Sequence, residues 1–192
     1  MPLGIIANHA SVNVFDSVQN EWLCAQIISA VGLPVANTEM ATFEDQQALV
    51  VERFDRSLVQ ASNPANNWIA RIPQEVFCQA LGLLPGRKYE TDGGPTAEHA
   101  LKLLAGSRQA ASDRVLFQLT QLAFWFMAAP DGHAKNYSLF IEPQTRYRMT
   151  PLYDVLSVRP YLGKGKGQLH QRHVRMALSV KGASRHHHLV EI

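Results

Sequence analysis

The sequence predicts an α+β fold. Three observations carry this reading. A helical stretch near the start leads into two strand-like runs. A helix-rich middle ends in the longest helical stretch of the chain. A short strand pair follows it, and no β–α–β repetition occurs anywhere along the 192 residues.

Taken in order, Ser17 to Val31 reads as a helix. Val18, Trp22, Ala25, Ile28 and Val31 recur at helical spacing, and Gly32 with Pro34 stops the run. TEMATF and QQALVVERFD read as strands separated by a turn at Glu44-Asp45, and the apolar ALVV run suits a buried strand. SLVQASNPANNW is rich in turn chemistry and reads as a polar loop. PQEVFCQALG places Pro73 in the first turn of a helix and Gly82 at its end. GRKYETDGGPT reads as a long Gly-rich loop, and TAEHALKLLAG as a helix. The longest helix spans about Ser112 to Ala129, with SDR as cap and early acid. Val115, Leu116, Leu119, Leu122, Ala123, Phe126 and Met127 give it a wide apolar face, widened further by Phe124 and Trp125. Pro130 ends it. YSLFIE and TRYRM follow as two short strands around a turn at Pro143-Gln144.

Composition narrows the functional classes. A hydrophobic content of 46% supports a packed core and excludes wholesale disorder. No apolar run is long enough for a spanning helix, so no membrane role is expected. The start, MPLGIIANHASVNVFDS, lacks a basic n-region, so no signal peptide is expected. Cys24 and Cys78 fall in helix-like segments and offer neither a disulfide framework nor metal spacing. Reducing cytoplasm is the expected compartment. The net charge of +2 conceals a gradient, from −5 over residues 1–50 to +6 over residues 142–192. A basic C-terminal quarter suits phosphates or nucleic acid, or is simply a solvated surface.

The chemistry concentrates in DGHAKNYSLF, residues 131–140, directly after the apolar run LAFWFMAA. Asp131 and Asn136 stand five apart, and Asp154 follows in PLYDVLS after the strand pair. Phosphoryl transfer to a hydroxyl needs this set. One carboxylate accepts the hydroxyl proton, an amide oxygen binds Mg2+, and a second carboxylate binds Mg2+ from a neighbouring loop. Lys135 suits charge neutralisation on a transferring phosphoryl group. His133 suits orienting the loop better than acting as a base, and a plain half-buried histidine remains open. A loop-capping Asp131 also remains open.

APDGHAKNYSLF, TPLYDVLS and VERFDR together resemble the HipA-type serine/threonine kinases, the toxins of bacterial toxin–antitoxin pairs. SVQNEWLCAQIISAVGLPV resembles the helix of that family's small lobe, and RIPQEVFCQALGLLPGRKYETDGGP its next helix and loop. The similarity runs from about Phe15 to Val180. The resemblance implies a protein-kinase-like fold with residues 1–56 as small lobe and hinge and residues 57–192 as large lobe. It implies Asp131 as catalytic base, Asn136 and Asp154 as Mg2+ ligands, and Glu52, Arg53 and Phe54 as the hinge whose backbone meets the adenine of ATP. Tyr153 would lie beside the nucleotide, and Glu21 would pair with an ATP-binding lysine. Family members phosphorylate an aminoacyl-tRNA synthetase and thereby cause dormancy. A helix-turn-helix antitoxin of the HipB kind holds them in check and also binds operator DNA, so contact with DNA is indirect.

The sequence departs from that pattern at two places. The first lysine of the chain is Lys88, and Gly4 is the only glycine ahead of Glu21. The family's phosphate loop and ATP-binding lysine are therefore not seen before the hinge. The chain also stops at HLVEI, where the family's large lobe continues into further helices. The expectation is the middle of a longer kinase, impaired alone, or a fragment acting only by binding an antitoxin or partner chain. GKGKG at 163–167 lacks the strand, spacing and Ser/Thr of a Walker loop, and reads as a flexible basic loop. RHHHL at 185–189 has no acidic or Cys partner nearby and reads as no metal site. Asp92-Gly93-Gly94 is either a mobile loop near the acceptor site or a plain surface turn.

Overall fold

The computed structural model describes Val14 and residues 16–179. RHHHL, HLVEI and the first thirteen residues lie outside the described residues. Helix α1 (Ser17–Ala30) forms where expected and is stopped by Gly32 in the left-handed region, φ 80°. Its buried face is Asn20, Glu21, Cys24, Ala25 and Ile28. The apolar spacing had pointed to a stripe ending at Val31, which is 63% exposed.

Strands β1 (Thr38–Phe43) and β2 (Gln46–Val51) pair antiparallel from Thr38↔Val51 to Phe43↔Gln46, around Glu44 at φ 55°. This hairpin is a sheet of two strands, so one face of ALVV has no second layer and the run is only partly buried. The expected polar loop contains a second hairpin, β3 (Arg56–Val59) with β4 (Trp68–Arg71). Only its tip around Pro64 behaves as a loop, with Asn63 capping a short 3₁₀ turn.

The expected helix from Pro73 begins as a strand. Gln74–Val76 is β5, and only Phe77–Ala80 is helical, as α2. Cross-strand partners override the local signal: β5 pairs with β6 (Ser138–Glu142), which pairs with β7 (Arg146–Met149). The β6–β7 turn holds Gln144 and Thr145 at φ 64° and 57°, the doubly left-handed geometry that suits hairpin twist.

Helix α3 (Ala97–Leu104) starts at a capping box in which the Thr96 hydroxyl accepts from the His99 N–H, and His99 Nδ1 accepts from the Thr96 N–H at 3.2 Å. Helix α4 (Ala110–Met127) starts two residues before its expected cap, and Ser112 lies inside it. Its buried stripe is Asp113, Phe117, Thr120 and Phe124. Val115, Leu119, Leu122 and Phe126, read from the sequence as core, are instead 46–57% exposed.

The core gathers where α1, α2, α4 and the three-stranded sheet meet. Ile28, Phe77, Leu104, Phe117, Tyr137, Leu139 and Leu152 are fully buried there. Each such side chain contributes roughly 1.5–3 kcal/mol. Tyr137 is the hub, with ring centroids 5.3 Å from Phe117, 5.5 Å from Phe77 and 6.3 Å from Phe124. Its hydroxyl accepts from Gln121 Nε2 at 2.6 Å, and burial drives its pKa far up. Asp131 to Asn136 lies directly on this aromatic cluster.

Candidate active site

Helix α4 ends because Ala128 turns left-handed, φ 53°, and the Ala129 N–H reaches back to the Phe124 carbonyl at 2.8 Å. Pro130 then directs the chain across the core. The loop Asp131–Asn136 is closed by two backbone bonds, His133 N–H to Asp131 O at 2.7 Å and Asn136 N–H to His133 O at 2.8 Å. A β-carbon at Gly132 would stand 2.5 Å from the buried Phe124 ring, so only glycine lets the loop lie this close.

Asn136 joins the two acidic segments. Its Nδ2 donates to the Asp131 carbonyl at 2.9 Å and the Asp154 carbonyl at 3.4 Å. The amide nitrogen is thereby committed, and Oδ1 is the atom left to meet a ligand. Asp154 is held at φ 57°, in the left-handed region that is uncommon outside glycine, although aspartate enters it more often than most residues. The chain just before it is fixed: the Leu152 N–H donates to Pro34 O and the Leu152 carbonyl accepts the Ala36 N–H, both at 2.8 Å. Asn20 of α1 then grips the segment beyond, donating to Ser157 O at 2.8 Å and accepting Ser157 N–H at 3.1 Å.

The electrostatics link three carboxylates. Burial, and next the Asp131 charge, push the Asp154 carboxyl up, while Lys88 opposes them. Burial, and next the Asp154 charge, push Glu21 up to about 7. No salt bridge meets Glu21 among the described residues. Buried like charges that Lys88 offsets only in part suit a divalent ion as further counter-charge. Among the described residues no cluster of three or more His, Cys, Asp or Glu is arranged to hold a metal. Mg2+ does not require one, since a carboxylate, an amide oxygen, phosphate oxygens and waters complete its shell. The Asn136–Asp154 pair fits that ion.

His133 is buried, with Nε2 4.0 Å from Asp131 Oδ1 and Nδ1 unpartnered. Burial is the main cause holding its pKa below the ordinary value, so the ring is neutral near pH 7. Lys135 is exposed, and its carbonyl accepts the Tyr153 hydroxyl at 3.0 Å. The Tyr153 ring packs on Phe54, which packs on Phe140, each pair with centroids 5.7 Å apart. This places the segment after β2 against the Asp154 loop. The Glu52 N–H is already taken by the Asn37 carbonyl at 2.9 Å. The Arg53 guanidinium turns to buried Asp55, donating to both carboxylate oxygens at 2.7 Å.

Two residues beside this loop escape a reading of the sequence. Tyr89 donates its hydroxyl to Asp131 Oδ1 at 2.7 Å and meets the His133 ring edge-on at 5.0 Å. The Lys88 ammonium sits 4.8 Å from the centroid of the Tyr89 ring. The Gly93-Gly94 segment is the reason their loop can fold: a β-carbon at Gly94 would stand 2.5 Å from the Arg87 and Tyr89 carbonyls. Here the loop is tied down, with Glu90 accepting from the Ser179 N–H at 2.8 Å and from its hydroxyl. A separate apolar groove of about 500 Å³ lies between α1 and the end of α4, lined by Leu23, Ile27, Phe126 and Met127. None of the residues Asp131 to Asn136 borders it.

Comparison with known proteins agrees with this architecture. The chain is 36% identical over 146 residues to Y4mE of Sinorhizobium fredii, a protein carrying a provisional kinase name, covering 76% of this chain and 33% of that one. It is 30% identical over 160 residues to the serine/threonine-protein kinase toxin HipA of Shewanella oneidensis, covering 75% of this chain and 35% of the toxin. It thus spans about a third of the length of these relatives. The Shewanella oneidensis HipA solved with HipB and operator DNA superposes with a TM-score of 0.74 and 26% identity, over 88% of this chain and 39% of that one. The Helicobacter pylori kinase CtkA shares the fold at a TM-score of 0.51 and 15% identity, over 72% of this chain and 46% of that one. The fold is α+β and protein-kinase-like, of the HipA type. No described helix is long and apolar enough to cross a membrane. With residues 5–191 matching the sequence model of the HipA-like C-terminal domain, the chain belongs to that family of kinases.

Proposed function

We propose that this chain carries the catalytic centre of an ATP- and Mg2+-dependent protein serine/threonine kinase of the HipA toxin type. The observation that carries the reading is the Asn136 amide, which ties the Asp131 and Asp154 segments into one site. Asp131 accepts the proton of the acceptor hydroxyl. Asn136 Oδ1 and the Asp154 carboxylate hold Mg2+, which when bound neutralises charge on the phosphates. Lys135 adds positive charge at the rim, and neutral His133 orients the loop rather than taking a proton. Backbone groups of Glu52 to Phe54 other than the occupied Glu52 N–H meet the adenine, with Phe54 and Tyr153 as its apolar wall. Residues 1–56 serve as small lobe and hinge and residues 57–192 as large lobe. By analogy with the relatives, the substrate is an aminoacyl-tRNA synthetase and the partner a HipB-like helix-turn-helix antitoxin that mediates any contact with DNA. The setting is the cytoplasm.

Glu21 favours a second reading, binding without catalysis. In the kinase reading it pairs with an ATP-binding lysine, yet no cation meets it among the described residues and Lys88 is the first lysine of the chain. The isolated chain is therefore expected to transfer phosphate weakly, since losing one preorganised donor costs roughly 10²–10³ in rate. Isothermal calorimetry tests the site itself. Mg2+-dependent ATP binding that Asp154→Ala abolishes supports the kinase reading, whereas binding indifferent to Mg2+ overturns it. ATP turnover by the isolated chain, lost in Asp131→Ala, would refute the expected impairment.

A further inference from the structure

We infer that Tyr89 is a positioning residue for Asp131, fixing which carboxylate oxygen faces the acceptor. This rests on the assignment of Asp131 as the base. The Tyr89 hydroxyl donates to Oδ1 at 2.7 Å, and His133 Nε2 also lies toward Oδ1, at 4.0 Å. Among the described residues no hydrogen bond engages Oδ2. The carboxylate is thus held by one oxygen, with the other left for the incoming hydroxyl.

A tyrosine on a loose loop would instead compete with that hydroxyl, as a latch that must open. The mounting of Tyr89 argues against a latch. The Lys88 carbonyl accepts the Ala134 N–H at 3.2 Å, which ties the loop to the Asp131 segment itself. The Tyr89 carbonyl accepts the Gly94 N–H at 2.8 Å, closing a turn that admits no β-carbon at position 94. Glu90 is anchored on the Ser179 backbone and hydroxyl, and the Tyr89 ring is braced on His133 at 5.0 Å. Fixed mounts on both sides of the tyrosine make its hydroxyl a stationary donor. Stationary donors set geometry in advance of the reaction, and lost alignment of a reacting group is costly in rate.

The test reads the Asp131 side chain directly. In the full chain, three-bond couplings to Asp131 Cγ measured by NMR should report one χ1 rotamer. In Tyr89→Phe they should average over several, with the thermal midpoint within a few degrees of the parent. Phosphoryl transfer, where measurable, should fall about tenfold in kcat with KM for ATP unchanged. A Tyr89→Phe chain that keeps a single Asp131 rotamer overturns the inference, as does one whose kcat rises, the signature of a latch. Calorimetry on the same samples separates the two levels. If the rotamer loosens but Mg·ATP never binds, the kinase assignment fails and the positioning contact stands. If Mg·ATP binds and the rotamer is indifferent to Tyr89, the positioning inference alone fails.

Discussion

Glu21 is the residue whose environment is most at odds with its charge. Its pKa, raised from 4.5 to about 7 mainly by burial, means the fold favours the protonated form. The stabilising contribution is complete below about pH 4.5 and is lost as pH rises through about 7. Glu21→Gln should abolish this slope. Urea titrations should show the variant gaining on the parent by about 2 kcal/mol between pH 4.5 and pH 8, the full shift being discounted for solvent screening. Parallel pH profiles for the two proteins would contradict the burial argument. At this scale the sequence marks Asp131, Asn136 and Asp154 as candidates, because they fall in two short segments with distinctive spacing. Tyr89 was not legible: its link to Asp131 spans 42 residues, and nothing in RKYETDGG distinguishes a tyrosine aimed at a carboxylate from a surface one. Asn20 was equally silent, since its grip on Ser157 spans 137 residues.

Among the elements, α4 shows how a misread residue can be structurally central. Asp113, read from the sequence only as an early acid of the helix, is 1% exposed. It accepts Gln109 Nε2 at 2.8 Å, the Met149 N–H at 2.9 Å and the Ser107 hydroxyl, and so staples the α3–α4 connection to β7. Asp113→Ala would leave the Met149 N–H buried without a partner. A loss of about 3 kcal/mol is expected, read as a lower thermal midpoint by circular dichroism. A change under about 0.5 kcal/mol, the range of ordinary surface substitutions, would mean the staple is dispensable. Hairpins β1–β2 and β6–β7 were legible because short turns at Glu44-Asp45 and around Gln144 force neighbouring runs to pair. The β3–β4 hairpin was hidden by the polar tip that separates its two short strands. Strand β5 was hidden because its partner β6 lies far along the chain, and Pro73 ahead of an apolar segment reads locally as a helix start. The stripe on α4 was misphased because apolar residues occupy nearly its whole circumference, leaving the spacing unable to choose a side.

For the molecule as a whole, that misphasing leaves Val115, Leu119, Leu122 and Phe126 as an exposed apolar line along α4. A line of this kind favours association. The isolated chain should enlarge with concentration in light scattering, and Leu119→Glu with Leu122→Lys should restore a concentration-independent mass. A parent chain that stays monomeric at high concentration would show that other residues already cover the line. The left-handed backbone at Asp154 has a different kind of reach. Glycine would occupy that position without strain and without a carboxylate repelled by Asp131. A library randomised at codon 154 and sorted only for heat resistance should therefore drift to glycine, whereas one sorted on Mg·ATP capture should return aspartate. The two sorted pools would disagree at the point where robustness and chemistry make opposite demands on one side chain.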